Sequence, residues 1–336
     1  MRFLVFFLCF LYISPFSALA SSFDIVLVTD ICGLGDNGLN DRCWLGIQQA
    51  ARELGLKAKV VQSFKQDDYF LNLYESASEG NIIVTAGFLM SDPLLKVASL
   101  CPGKKFLLID GEVESANVKS ILFKDEEIGF LAGLLASAIT KVNKVGYLGG
   151  VKASRNDKFL IGYKAGIKIY SKLVGKDVEV LESYVGTFND PEKGKEAGKF
   201  LFGQGVDVIF QVAGKSGLGI LEVAKEREKE FFVIGVDLDR GLVNTNSNVL
   251  NIVRRVDLAT YLAIISLAKV GFNSEVCYMG LREGVFSVEG IPALKRVIPQ
   301  EILSLIENIK EKLIAGKILV PSTMEELLNL FPPEKL

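Results

Sequence analysis

The chain has 336 residues, 49% of them apolar, with 38 Lys and Arg against 40 Asp and Glu and no histidine. A formal charge of −2 without a basic block excludes nucleic acid and anionic membrane surfaces as electrostatic partners. Lack of histidine removes Ser-His-Asp and Cys-His catalysis, the usual zinc ligands and the commonest general base near neutral pH.

Residues 1–20, MRFLVFFLCFLYISPFSALA, join a basic Arg2 to an apolar stretch, with Ala18 and Ala20 at the minus-three and minus-one positions of a cleavage site. This predicts a cleaved signal peptide and a periplasmic mature protein. Ser21 rather than a cysteine follows Ala20, so a free protein is expected and not a lipid-anchored one. Cys32, Cys43, Cys101 and Cys277 survive processing. Cys32 with Cys43 can close a short disulfide loop, and four buried thiols is an equally good reading.

Residues 23–46, FDIVLVTDICGLGDNGLNDRCWLG, read as a strand ending in Asp30, a glycine-rich loop, and a helix led by Leu39 and Asn40. Gly33, Gly35 and Gly38 formally satisfy G-x-G-x-x-G, but the acidic residue a dinucleotide site needs about 20 positions further on is matched only by Glu53, inside the helix. The segments LKAKVVQSF and NIIVTAG follow as strands, then a helix in DPLLKVASLC and the strand KKFLLIDG, ending in Asp110. The same order restarts at NKVGYLGG. It runs through a helix in DKFLIGYKAGIKIYSKLVG, VEVLESYVG, a helix near KEAGKFLFGQG, VDVIFQVAG, a helix in ILEVAKEREK, and FFVIGVD.

Strands alternating with helices predict parallel sheets covered on both faces. The joint EEIGFLAGLLASAITKVNK suits a helix packed closely on a sheet before the chain crosses over. From Val249 onward come a strand, a helix at LATYLAIISLAKVG, strand-like GVFSV and the helix EILSLIENIKEKLIAG. The expected division is residues 23–140 plus 255–283 in one lobe and 143–252 plus 284–325 in the other. Without a Pro/Ser-rich linker, several short crossings should join them and permit hinged closure.

In open parallel sheets ligands bind beyond the carboxyl ends of strands. There the chain places Asp30, Gly87 with Phe88, Asp110, Gly149 with Gly150, Gly214, and Asp237 with Asp239. Each aspartate alone reads equally well as a cap or turn residue; their recurrence favours a cleft for a ligand rich in hydroxyl and N–H donors, such as a sugar or nucleoside. Phe188, in the loop SYVGTFND, is the aromatic best placed to stack on a planar ligand, whereas Trp44 has a core-like spacing with Ile47. Gly214-Lys215-Ser216 is no P-loop, because Ile209 stands where its first glycine belongs.

The segments VTDICGLGDNGLNDRCWLG, FLLIDG, NVKSILFKDEEIGFLAG, KVGYLGG, FLIGYKAG, YVGTFNDPEKGKEA, GVDVIFQVAGKSGLG, FFVIGVDLD and KEKLIAGKILVP run in order from about Phe23 to Pro321. In these the chain resembles the basic membrane protein (BMP) family of substrate-binding proteins, which includes purine nucleoside receptors serving ABC transporters. The resemblance implies an α/β, type I periplasmic-binding-protein fold, with two doubly wound parallel-sheet lobes joined by a hinge. It also implies a base held between two aromatic rings and a ribose held among carboxylates and a lysine. By motif position Asp30, Asn40, Asp110, Phe188, Gly214 and Asp237 match the ligand-facing pattern. Leu39 stands where one stacking ring is expected and Arg254 where the lysine is expected, and both join the predicted ligand-binding set.

The expectation is therefore a periplasmic solute-binding protein of an ABC importer that takes a nucleoside or similar hydroxylated molecule between its lobes. Its expected partners are that ligand and the permease, with no nucleic acid, no cofactor, no metal and a monomeric state. Two alternatives stay open: a periplasmic sensor for a membrane receptor, and a nucleoside-cleaving enzyme using Asp30 and Asp36 as acid and base or metal ligands.

Overall fold

Alternating side chains that are all buried force a sheet to be covered on both faces, and strand β1 (Ile25–Val28) shows this directly. Ile25 and Leu27 enter one apolar cluster while Val26 and Val28 enter another. The computed structural model describes residues 25–36, 38–152, 154–226, 231–238, 248–290 and 295–332. The expected signal peptide, Asn37 and Asp239 lie outside the described residues.

The first lobe continues through α1 (Leu39–Leu54), β2 (Ala58–Val61), α2 (Asp68–Glu79), β3 (Ile82–Ala86), α3 (Ser91–Leu100), β4 (Lys105–Ile109) and β5 (Val118–Phe123). Helix α4 (Asp125–Ile139) leads to β6 (Lys144–Gly149), α5 (Ser154–Val174), β7 (Glu179–Tyr184), α6 (Pro191–Gly203) and β8 (Val208–Val212). Then come α7 (Leu218–Glu226), β9 (Phe232–Val236), β10 (Val249–Arg254), α8 (Val256–Lys269), β11 (Val276–Met279), β12 (Phe286–Glu289), α9 (Gln300–Ile314) and α10 (Met324–Leu330).

The strands form two six-stranded sheets, in the orders β11-β5-β4-β3-β1-β2 and β12-β10-β9-β8-β6-β7. Every pairing is parallel except that of β12, which runs antiparallel to β10 with Arg254 opposite Phe286. The carboxyl ends of β1, β3 and β4 carry Asp30, Gly87 and Asp110; those of β6, β8 and β9 carry Gly150, Gly214 and Asp237.

Helices α2 and α10 and strands β5 and β11 were not among the expected elements. In α2 the buried stripe Tyr69, Leu73, Ser76 and Ala77 has helical spacing, but exposed Phe70, Leu71 and Tyr74 blur it.

The glycines of the joint face a helix and not the sheet. A Cβ on Gly129 or Gly133 of α4 would run into the carbonyls of Phe159 or Tyr163 in α5, and one on Gly162 or Gly166 of α5 would run into those of Glu126 or Phe130. Helix α4 thus packs on α5 and lies near β8 and β9. The expected division placed it with the first lobe; its packing is with the second sheet.

The chain passes between sheets at Lys124, at Arg255 and within residues 280–285, as expected of lobes joined by several short crossings. These passages bind one another: the Lys124 N–H donates to Met279 O at 3.0 Å and the Arg255 N–H to Val285 O at 2.7 Å.

Cys32, Cys43, Cys101 and Cys277, the cysteines among the described residues, are free thiols, so the structure contains no Cys32–Cys43 bridge. Nor are all four buried: Cys43 is, while Cys32 is exposed. Cys43 accepts a 3.6 Å hydrogen bond from Thr260 Oγ1 of α8, and burial pushes its thiol up to about 12.

Candidate functional site

At the end of β1, Asp30 begins a loop whose backbone N–H groups are taken up by side chains of the same lobe. Asp30 Oδ1 accepts from the Cys32 N–H at 2.9 Å, Gln62 Oε1 from Leu34 at 2.9 Å, and Asp41 Oδ1 from Gly35 at 2.8 Å. Asp36 caps α1 from two residues before Gly38, accepting from the N–H groups of Gly38, Asn40 and Asp41 at 2.8–3.1 Å. A phosphate loop needs these groups free to face its ligand. Gly33 and Gly35, at φ 62° and 90°, serve the turn instead.

Asn40 locks this corner. Its Nδ2 donates to Asp30 Oδ1 at 2.7 Å and Asp36 Oδ2 at 3.0 Å, while its Oδ1 accepts from the Asp30 N–H at 3.3 Å. The side chain is fully buried, and both its amide donors and its oxygen are used to hold Asp30 and Asp36 together. A Cβ on Gly87 would lie 3.5 Å from Leu39 Cδ2 and 3.7 Å from Asp30 Oδ2, so Gly87 borders both side chains. Asp30 Oδ2 has no hydrogen bond among the described residues.

The second group centres on Arg254 at the end of β10. Its backbone N–H and Nε donate to the two oxygens of Asp237 at 2.7 and 2.6 Å, and its Nη1 donates to Asp110 Oδ2 at 3.3 Å and lies 3.9 Å from Asp125 Oδ1. Its guanidinium carbon lies 5.5 Å from the centre of the Phe123 ring. Burial opposes the charge, but the carboxylates of Asp237, Asp110 and Asp125 outweigh it, so the guanidinium holds its proton more firmly than a free arginine. Asp110 and Asp237 adopt left-handed backbone at φ 58° and 53°, a conformation that costs of order 1–3 kcal/mol and concentrates at functional sites.

The third group belongs to the second lobe. Phe188 lies over Gly150 so closely that a Cβ there would enter its ring, and its backbone carbonyl accepts from the Ser216 N–H at 3.2 Å. Ser216 Oγ also donates to Thr187 O and accepts from the Asp190 N–H, tying the Phe188 loop to the Gly214–Gly217 turn. Phe188 remains 41% exposed, as a ring available for stacking must be, whereas Trp44 is partly buried against the core.

The predicted residues thus fall into three groups at the strand ends: Asp30, Leu39 and Asn40; Asp110, Asp237 and Arg254; and Phe188 with Gly214. Sequence reasoning missed the part of Asp125 and Phe123, because nothing in FKDEE says which acid turns toward Arg254. Among the described residues no group of three or more Cys, Asp or Glu is placed to hold a metal ion. Asp30 and Asp36, the acid–base pair of the enzyme reading, are both committed to Asn40.

Two doubly wound lobes with polar strand ends meeting at a triple crossing define a ligand-binding protein of the two-lobed, periplasmic type. The chain belongs to the Bmp family, described as ABC transporter substrate-binding protein PnrA-like, whose model matches residues 23–324. It is 30% identical over 326 residues to a CD4+ T-cell-stimulating antigen of Listeria monocytogenes, covering 90% of this chain and 89% of that one. It is also 30% identical over 256 residues to basic membrane protein D of Borreliella burgdorferi, covering 74% and 73% of the two. Among solved structures, an ABC transporter solute-binding protein from Aeropyrum pernix K1 superposes with a TM-score of 0.74 at 27% identity, over 91% of this chain and 96% of that one. The type I periplasmic-binding fold and the family expected from the sequence are both found.

Proposed function

We propose that this substrate-binding protein is exported by its cleaved leader to the periplasm, acts as a monomer, closes on a nucleoside, most favourably a purine nucleoside, and delivers it to an ABC permease. The observation that carries this reading is Asp30, whose Oδ1 is fixed by Asn40 and Cys32 while Oδ2, near Gly87, accepts no hydrogen bond among the described residues. An oriented carboxylate oxygen of this kind suits a ribose hydroxyl or a base N–H. Phe188, held flat on Gly150, supplies a surface for a planar ring, and Leu39 covers a ring from the first lobe by dispersion. The family's transport role supports both the small-molecule ligand and the permease partner.

Thermal melting with a panel of purine and pyrimidine nucleosides, riboflavin and free sugars tests the reading. A ligand at 100 times its Kd stabilises the folded state by about 2.7 kcal/mol. The expected result is a rise in Tm with purine nucleosides, and unchanged ligand recovered afterwards. A rise with sugars alone would replace the ligand assignment, and release of free base would establish an enzyme.

A further inference from the structure

Arg254 stands where the family resemblance implies a ligand-facing cation, yet its bonds run to the protein and to both lobes at once. Asp237 and Arg254 end strands of the second sheet, whereas Asp110 and Phe123 end strands of the first. Asp125 opens α4 directly after the Lys124 crossing, and Arg254 directly precedes the Arg255 crossing. The Arg254 carbonyl accepts from Arg42 Nη1 of α1, a first-lobe helix, at 3.0 Å. One side chain and its own backbone therefore span the hinge in two directions.

The partners of Arg254 on its first-lobe side also border residues of the second lobe. Asp110, Phe123 and Asp125 line a crevice of about 120 Å³ together with Lys158 of α5 and Tyr278 of β11. Lys158 Nζ sits 5.3 Å from the centre of the Tyr278 ring, a further contact between lobes.

We propose that Arg254 is a positioning residue: it ties the two lobes at the hinge, fixes the opening angle of the ligand-free cleft, and holds Asp110 and Asp237 for the ligand. Its effect on affinity is exerted through these two aspartates and the cleft angle. The fork geometry matters, because Nε and Nη1 serve carboxylates of different lobes, and a lysine ammonium offers no two donors at that separation. The affinity consequence rests on the nucleoside reading, but the angle does not.

The test is small-angle X-ray scattering of the ligand-free full chain as wild type, Arg254→Lys and Asp110→Asn. The tie predicts that both variants open, raising the radius of gyration by about 1 Å on a compact body of roughly 20 Å. Asp110→Asn leaves Arg254 and Asp237 untouched and suits left-handed backbone, so it decides the matter even if Arg254→Lys fails to fold. Titration with inosine gives the second readout: affinity should fall about tenfold in both variants. Wild-type scattering from Asp110→Asn would overturn the proposal, whether or not inosine binds. An unchanged angle in Arg254→Lys accompanied by lost inosine binding would also overturn it, making Arg254 a ligand contact only.

Discussion

The Asp30 corner and the Arg254 cluster are both built from aspartates at strand ends, yet they hold those aspartates by different means. In the first, the donors to Asp30 are neutral: the Asn40 amide and the Cys32 backbone N–H, both within ten residues. In the second, the donor is a cation whose partners lie 17 and 144 positions away. Among the described residues one oxygen of Asp30 accepts no hydrogen bond, whereas both oxygens of Asp237 are taken by Arg254. The local corner is built to present a carboxylate, and the long-range cluster to join pieces of chain.

The largest expected effect comes from Asp237→Ala. Breaking a mostly buried ion pair by removing one member costs about 3–5 kcal/mol, and Arg254 keeps Asp110 and Asp125, so the loss should fall at the lower end. Purine nucleoside binding should fall below detection by calorimetry while the far-UV circular dichroism stays that of the wild type. Wild-type affinity would reduce Asp237 to a turn residue. Next is Asn40→Leu, which deletes three hydrogen bonds from a fully buried position; denaturant unfolding should show a loss of about 2–4 kcal/mol. A smaller loss would mean that Asp30 and Asp36 find other donors.

Leu39→Phe and Phe188→Ala sharpen the contrast with smaller effects. Adding or removing a ring in a stack is worth about 0.5–1.5 kcal/mol, so Leu39→Phe should tighten purine nucleoside binding up to about tenfold and Phe188→Ala weaken it by as much. The melting temperature without ligand should move little for Phe188→Ala, because that side chain is exposed. The smallest signal is chemical. Maleimide should label exposed Cys32 and leave buried Cys43 unreacted at mildly alkaline pH, and bound nucleoside should slow the Cys32 reaction. Equal labelling with and without nucleoside would move the ligand away from the Asp30 corner.

The same contrast governs what could be read in the sequence. Asp30 and Asn40 were legible because a short run, TDICGLGDNGLN, contains the strand end, the turn glycines and the helix start. Asp110 and Asp237 were legible as strand ends, but their sharing of Arg254 depends on sheet order, which period-two patterning does not encode. Strand β11, four residues long with only Met279 buried, offers almost no hydrophobic signal. Helix α4 was legible as a close-packing helix from its glycines. Its partner was not, because Gly162 and Gly166 lie in another helix and neither sequence names the other.

The edges of the two sheets carry a consequence for how the chain matures. Strand β5 is covered by β11 and strand β10 by β12, so both sheets receive an edge strand from one short stretch, residues 276–289. Before that stretch emerges, β5 and β10 each expose a row of unsatisfied backbone groups, the template on which strands of other molecules add. Both sheets are therefore completed late and almost together, the first by β11 and the second by β12 a few residues further on. Until residues 276–289 are in place both sheets keep an open edge, so the interval before this stretch folds is when the chain is most exposed to aggregation.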